Sequence, residues 1–294
     1  MLGVMGLSAI FAKIAGRGGR KLPVVKFTSS EDDPFIQSLS CNGAITIEST
    51  KDGEVVKETY YNLKNTLVEI QADADTEVMI SGYVTDLNFT VYNDDPDVDD
   101  YEGCFDISTV DVSGCLGLKS LNVSYCENIT ELNLAANTAL QYLDCGNTSI
   151  AELNLAANTA LQTLNCYGCT SITELNLAAN TALQYLDCNG CTSIAELNLA
   201  ANTALQYLDC SGCTSITELN LAANTALQYL DCSGCTSLNS INYPATNEDV
   251  STAIASAITN ADAADGKVYT DSTAAYYSTI ADAATAKGWT INQL

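Results

Sequence analysis

The 294-residue sequence contains no histidine. That absence removes Ser–His and Cys–His nucleophile pairs and every imidazole ligand to zinc. An enzyme built on this chain would have to work with carboxylates or tyrosines, and no enzymatic activity is expected. Positive charge is also scarce: 11 Lys and Arg stand against 36 Asp and Glu, a net of 11 − 36 = −25. Lys13, Arg17, Arg20, Lys21 and Lys26 all precede the first acid, Glu31, and none of the basic residues falls between Ser120 and Gly266. Such an acidic body repels nucleic acid and anionic lipid, so no nucleic-acid partner is expected. Long apolar runs are missing too. The opening MLGVMGLSAIFA is too short to span a bilayer. Its positive charges follow the apolar stretch and no small-residue cleavage site is evident, so removal as a secretory signal is not expected.

What the sequence has in abundance is cysteine and repetition. The segments 172–193 and 216–237 differ at one position, Asn189 against Ser233, and the period is 22 residues: Leu161, Leu183, Leu205, Leu227. Each period splits into two halves of 11 that fit one template, L-x-x-L-x-[LC]-x-x-[NC]-x-x-[LI]. The template reaches upstream through Leu118-Leu121-Val123-Cys126 and Ile107-Val110-Val112-Cys115 to Val84-Leu87-Phe89, and it ends at Leu238-Ile241-Tyr243 before Pro244. In LQYLDC the alternation has period two, placing Leu230 and Cys232 on one face and Tyr229 and Asp231 on the other. TELNL behaves likewise, with Leu219 and Leu221 opposite Glu218 and Asn220. Two short strands per 22 residues make one rung of a solenoid, and only stacking buries the apolar faces.

The nested halves resemble the leucine-rich repeats of the bacterial IRREKO type, whose half-repeats read LxxLxCxxN and LxxLxLxxN, over roughly 84–243. The resemblance implies a leucine-rich repeat β-solenoid, mainly parallel, in a family of ligand and protein binders without catalytic residues.

The C-x-x-C elements at Cys166/Cys169, Cys188/Cys191, Cys210/Cys213 and Cys232/Cys235 imitate zinc-ribbon spacing. Yet Cys188, Cys210 and Cys232 occupy the position held by Leu177, Leu199 and Leu221 in the alternate half. Cys191, Cys213 and Cys235 take the place of Asn180, Asn202 and Asn224. A metal ligand is not exchanged for Leu or Asn between rungs, whereas a small buried hydrophobe is. Buried structural thiols are therefore expected; zinc or iron–sulfur ligation and disulfides between stacked cysteines are the alternatives. At CGNTS (145–149) the rung is one residue short, and Cys145 is followed by Asn147 instead of a second cysteine.

Stacking turns outward positions into columns. Tyr142, Tyr185, Tyr207 and Tyr229 are expected beside Asp144, Asp187, Asp209 and Asp231, with Thr163 and Asn165 interrupting both, and Glu131 to Glu218 on the opposite side. Such rows stabilise parallel strands by about 0.2–1 kcal/mol per pair, and they also offer rigid amphipathic area to a host-surface glycan or protein. In the insertion 93–106, Asp95, Asp97 and Asp99 match positions 1, 3 and 5 of a calcium loop, but Asp100 stands where such a loop needs Gly and Asp106 where it needs Glu. Calcium is the only cofactor this segment suggests; a solvated acidic loop is the simpler reading.

The organisation expected is an apolar and basic anchoring arm (1–30), a small β cap (31–83) with a hairpin turn at Lys51-Asp52-Gly53, the solenoid (84–243), and an α/β cap (244–294). In the last part Asn247 is expected to open a helix that Gly266 terminates, KVYT to be a strand, Ser272 to open a second helix and Gly288 to end it. The tail near KGWTI resembles those accompanying such repeats in gut-bacterial proteins, and the N-terminus resembles those of phage fibre and decoration proteins. The function expected is display: residues 1–26, through Lys13, Arg17, Arg20 and Lys21, attach the rod to an assembly, virion surface or bacterial cell surface. The solenoid then faces outward, and self-association into a homo-oligomer stays open.

Overall fold

The computed structural model describes residues 24–29, 35–89, 107–243, 247–261, 266–270 and 273–293. The anchoring candidates Lys13, Arg17, Arg20 and Lys21 and the calcium candidates Asp95, Asp97 and Asp99 lie outside these residues.

The chain begins with antiparallel pairing: β1 (Val24–Ser29), β2 (Phe35–Lys51), β3 (Glu54–Tyr61), β4 (Thr66–Glu69) and β5 (Glu77–Asn88). Asp52 and Gly53, both at positive φ (53° and 76°), form the tight turn between β2 and β3. The Asp73 carboxylate accepts from both of their amides. Residues 24–29, assigned to the arm on the basis of sequence, form a strand of this sheet. Val25 and Phe27 alternate into the core, Phe27 meets Phe89 edge-on at 5.0 Å, and Lys26 pairs with Glu77 at 2.9 Å. β5 joins the two halves of the sheet: it runs antiparallel to β2 along its length and to β1 at its start, and its last three residues run parallel to the first repeat strand.

Next in sequence come β6 (Ile107–Asp111), β7 (Ser120–Asn122), β8 (Tyr142–Asp144), β9 (Thr163–Asn165), β10 (Tyr185–Asp187), β11 (Tyr207–Asp209), β12 (Glu218–Asn220) and β13 (Tyr229–Asp231). β6 pairs antiparallel with β1. β7, β8, β9, β10, β11 and β13 stack parallel and in register, Tyr185 against Tyr207 against Tyr229. Their central leucines, Leu121 to Leu230, are all buried, each side chain contributing about 2 kcal/mol of apolar burial. This is the β-solenoid architecture of leucine-rich repeats.

The two halves of a rung differ in main-chain pairing, which corrects the expectation of two strands in every rung. In the second half, β6 pairs antiparallel with β1, and after it only β12 and then β14 (Ser240–Asn242) are strands, which continue in parallel to β15 (Lys267–Thr270) and β16 (Thr290–Gln293). Residues 173–177 and 217–221 are both TELNL, yet only the second contains a strand. The cause is the neighbour, not the segment: beyond β13, helices replace the YLD strands, and rungs close up on the other side.

Those helices are α1 (Glu248–Asn260) and α2 (Tyr277–Lys287). Asn247 caps α1 through Oδ1, which accepts from the Val250 amide at 3.1 Å. Gly266 does not terminate it: α1 ends at Ala261, and Gly266 instead lies where a Cβ would strike the Trp289 ring at 2.3 Å. Nor does Ser272, outside the described residues, open α2. That helix starts at Tyr277, with Tyr276 as an N-cap that makes no side-chain bond, and it ends as expected at left-handed Gly288. Among the described residues no helix is long and apolar enough to cross a membrane.

Candidate binding face

The cysteines explain themselves once the rungs are stacked. Cys166, Cys188 and Cys210 are fully buried at the inward position after each YLD strand. The second cysteine of each pair donates its S–H to the carbonyl of the first cysteine one rung back: Cys169 to Cys145, Cys191 to Cys166, Cys213 to Cys188 and Cys235 to Cys210, at 3.0–3.2 Å. In the alternate half Asn158, Asn180, Asn202 and Asn224 do the same work, each Nδ2 donating to two carbonyls of the preceding rung at 2.9–3.1 Å. The thiol is thus a small donor in a column whose partner column uses amides.

In the short rung, the place of the second cysteine is taken by Thr148, whose hydroxyl donates to the Cys145 carbonyl at 2.8 Å. Asn147 stands instead in the left-handed column of Gly168, Gly190, Gly212 and Gly234, with φ 52° beside their 67–72°. No disulfide joins the described cysteines, and no three Cys, Asp or Glu side chains among the described residues converge in a metal-holding arrangement. Burial pushes the Cys115 thiol up to about 11 and Cys232 higher, which keeps both protonated at neutral pH.

The outward columns form a continuous face. Tyr185 and Tyr207 stack at 4.1 Å and 7° between planes, and Tyr207 and Tyr229 at 4.3 Å and 4°. All three are half-exposed or exposed, with Tyr229, at the end of the stack, 43% accessible. Burial, then hydrogen bonding to Tyr185, raises Tyr207 to about 12. One carboxylate oxygen of each aspartate is held by its own turn: Asp187 accepts from the Asn189 amide, Asp209 from Ser211 and Asp231 from Ser233. The rows therefore stabilise the strands and still present phenol edges and carboxylate edges to solvent. On the opposite side, Glu131, Glu152, Glu174, Glu196 and Glu218 are exposed, and Asn133 to Asn220 accept from the amide two residues on.

Tyr142 and Asp144 are set apart from the stack by Thr163. Asp144 is only 5% exposed and accepts from Gly146 N at 3.1 Å, and from the Tyr142 hydroxyl and Asn165 Nδ2 at 3.3 Å. They open onto a cleft of about 370 Å³ with Tyr125, Tyr167, Asn165, Asp187 and Asn189. Sequence reasoning placed Asn165 in the outward column but did not single out Tyr125 or Tyr167. The signal for Tyr167 was present: it replaces the Asn or Ser of the following rungs.

These carboxylates set a pH dependence. Asp144 and Asp187 are both held above the ordinary aspartate range, first by burial and only partly offset by hydrogen bonds. A raised carboxyl binds its proton more tightly folded than unfolded, so acidification stabilises the fold until the unfolded value, about 3.9, is reached. Asp111, lowered by Ser113, and Asp73, lowered by the amides of Asp52 and Gly53, lose their contribution as pH falls further. The Tm is expected to rise from pH 7 to about 4.5 and to fall below about 3.5. Asp187→Asn should flatten the rise in a thermal-melt series; an unchanged rise contradicts this assignment.

No protein-family model matches the chain, and no curated protein does. Among solved structures, the functional domain of InlJ from Listeria monocytogenes, described as including a cysteine ladder, is 22% identical over 56% of this chain and 52% of its own, with a TM-score of 0.31. The chain thus spans about half the length of that domain. Internalin C2 from the same species is 19% identical, covering 72% of this chain and 81% of its own at a TM-score of 0.34. Internalin F, also from Listeria monocytogenes, is 15% identical, covering 67% and 84% at 0.25.

Proposed function

We propose that this chain is a non-catalytic display protein whose acidic solenoid binds a glycan or protein on a host surface while residues 1–26 fix it to a bacteriophage particle as a fibre or decoration component. The observation that carries the reading is the outward tyrosine stack Tyr185–Tyr207–Tyr229, flanked by Asp187, Asp209 and Asp231. Three phenol rings stacked in parallel and in register form a rigid ridge that needs little ordering on binding. The same contact repeated along near-identical rungs gains avidity from a weak single interaction. In this reading the antiparallel strands at the start and the helices at the end close the solenoid against solvent.

A bacterial cell-surface adhesin is the second form of the same proposal, and fractionation separates the two. A virion component co-sediments with particles and an adhesin with the envelope. Deleting residues 1–26 is expected to abolish attachment. Because Val24 to Lys26 lie in β1, a deletion of 1–23 that leaves the sheet intact is the cleaner variant. Attachment that survives it refutes the anchor. Tyr207→Ala, in the middle of the stack, is expected to weaken binding on a glycan or host-protein array by about tenfold or more. Wild-type binding by that variant removes the stack from the interface.

A further inference from the structure

The repeats are so alike that their departures stand out, and three of them meet in one place. In the third YLD rung Thr163 replaces tyrosine and Asn165 replaces aspartate. Just after that strand Tyr167 stands where the next rungs carry Asn189, Ser211 and Ser233. One rung back the matching residue is Gly146, and the Tyr167 ring lies over it: a Cβ there would meet Tyr167 Cε1 at 2.3 Å. Tyr167 spans this glycine to reach Tyr125, edge-on at 5.9 Å, and its hydroxyl is engaged by Tyr125 and Ser124. Tyr125 itself adopts φ 60°, in the column that is otherwise Gly or Asn, a costly conformation for a bulky residue.

The result is a cleft of about 370 Å³ walled by Tyr125, Tyr142 and Tyr167, with Asp144, Asn165 and Asp187 along its floor. Its polar chemistry is one-sided. Asp144 and Asp187 supply carboxylates, the Oδ1 of Asn165 is buried without a hydrogen-bond partner, and no Lys or Arg occurs from 120 to 266 to neutralise any of them. Aromatic faces combined with carboxylate charge that no cation answers suit a planar cation, which stacks on phenol and donates several N–H groups in a fork. A sugar ring would stack equally well but would leave the negative charge unanswered.

We propose that this cleft is a binding site for a guanidinium group, the arginine side chain of a protein partner docked along the YLD face. The inference deepens the reading of that face as a binding surface, and a small probe tests it independently of any partner. The probe is N-acetyl-arginine amide, titrated into the full chain carrying 13C-labelled tyrosine and followed by NMR, with N-acetyl-lysine amide and cellohexaose as comparisons. The arginine probe is expected to shift the ring signals of Tyr125, Tyr142 and Tyr167 saturably, leaving Tyr229 unmoved, and to bind about fivefold or more tighter than lysine amide. Asp187→Asn is expected to weaken it about tenfold. Tyr167→Ser, which installs the residue found at 211, should remove most of the binding while the remaining tyrosine signals show the rungs intact. No saturable shift, equal binding of the lysine probe, or cellohexaose moving the same rings in place of arginine would each overturn the proposal. Loss of attachment or array binding on the separate variants above bears on the broader function and not on this cleft.

Discussion

Asn202→Ala is expected to destabilise the protein by about 1–3 kcal/mol, because two buried carbonyls each lose one of their two hydrogen bonds and keep only the Asn180 and Leu183 amides. Asn202 is fully buried, and its Nδ2 donates to the carbonyls of Leu177 and Asn180 in the rung before. Neither carbonyl can turn to water without opening the rung. The cost is already partly built in, since the Oδ1 of each ladder asparagine from Asn137 to Asn224 is buried with no hydrogen-bond partner. Asn202→Cys tests the equivalence of the two columns. A thiol at the homologous site of the other half, Cys213, reaches one carbonyl at 3.1 Å. It should restore part of the loss, leaving a deficit of about 1 kcal/mol. Urea unfolding curves measure both. A cysteine variant no better than alanine would show that S–H donation carries no weight.

Leu186→Ala is the second large effect, expected at about 3–5 kcal/mol. Leu186 is fully buried at the centre of β10, in register between Leu164 and Leu208. Rungs held by main-chain bonds on both sides, such as Tyr185 N to Gln162 O and Cys188 N to Asp209 O, cannot collapse into the vacated volume. Cys188, two residues on and equally buried, provides the contrast. Cys188→Val is expected to cost less than about 1.5 kcal/mol, whereas Cys188→Ser buries a hydroxyl in an apolar position at about 1–3 kcal/mol. A valine variant that is the worse of the two would mean that Cys188 acts through its sulfur chemistry and not its volume.

The parts of this fold legible in the sequence are those dictated by local period. Tyr, Asp and Glu point outward, Leu and Cys inward, and the second cysteine takes the asparagine's task, all as alternation and homologous position require. What escaped is what neighbours decide. The two TELNL segments cannot be told apart locally, and the packing of the rung that follows makes only one of them a strand. Val24–Ser29 reads as the end of a basic arm until β5 and β6 offer it edges on both sides. The short rung was misaligned because Asn147 resembles a ladder asparagine, although asparagine also tolerates the left-handed conformation that Gly holds elsewhere in that column. The cleft was missed because Tyr125 and Tyr167, unremarked in sequence, join Tyr142 only by stacking.

The account rests on thiols that fill space and donate to carbonyls inside a packed solenoid. Titration with a thiol-specific disulfide reagent, in native buffer and then in concentrated guanidinium, with metal release monitored in the same cuvette, tests this directly. Negligible native reaction of the 12 described cysteines, all buried, followed by all 13 of the sequence on unfolding, with no metal freed, is the expected result. Rapid native reaction of more than one thiol, fewer than 13 thiols after unfolding, or zinc or iron released in proportion to thiols titrated would contradict it.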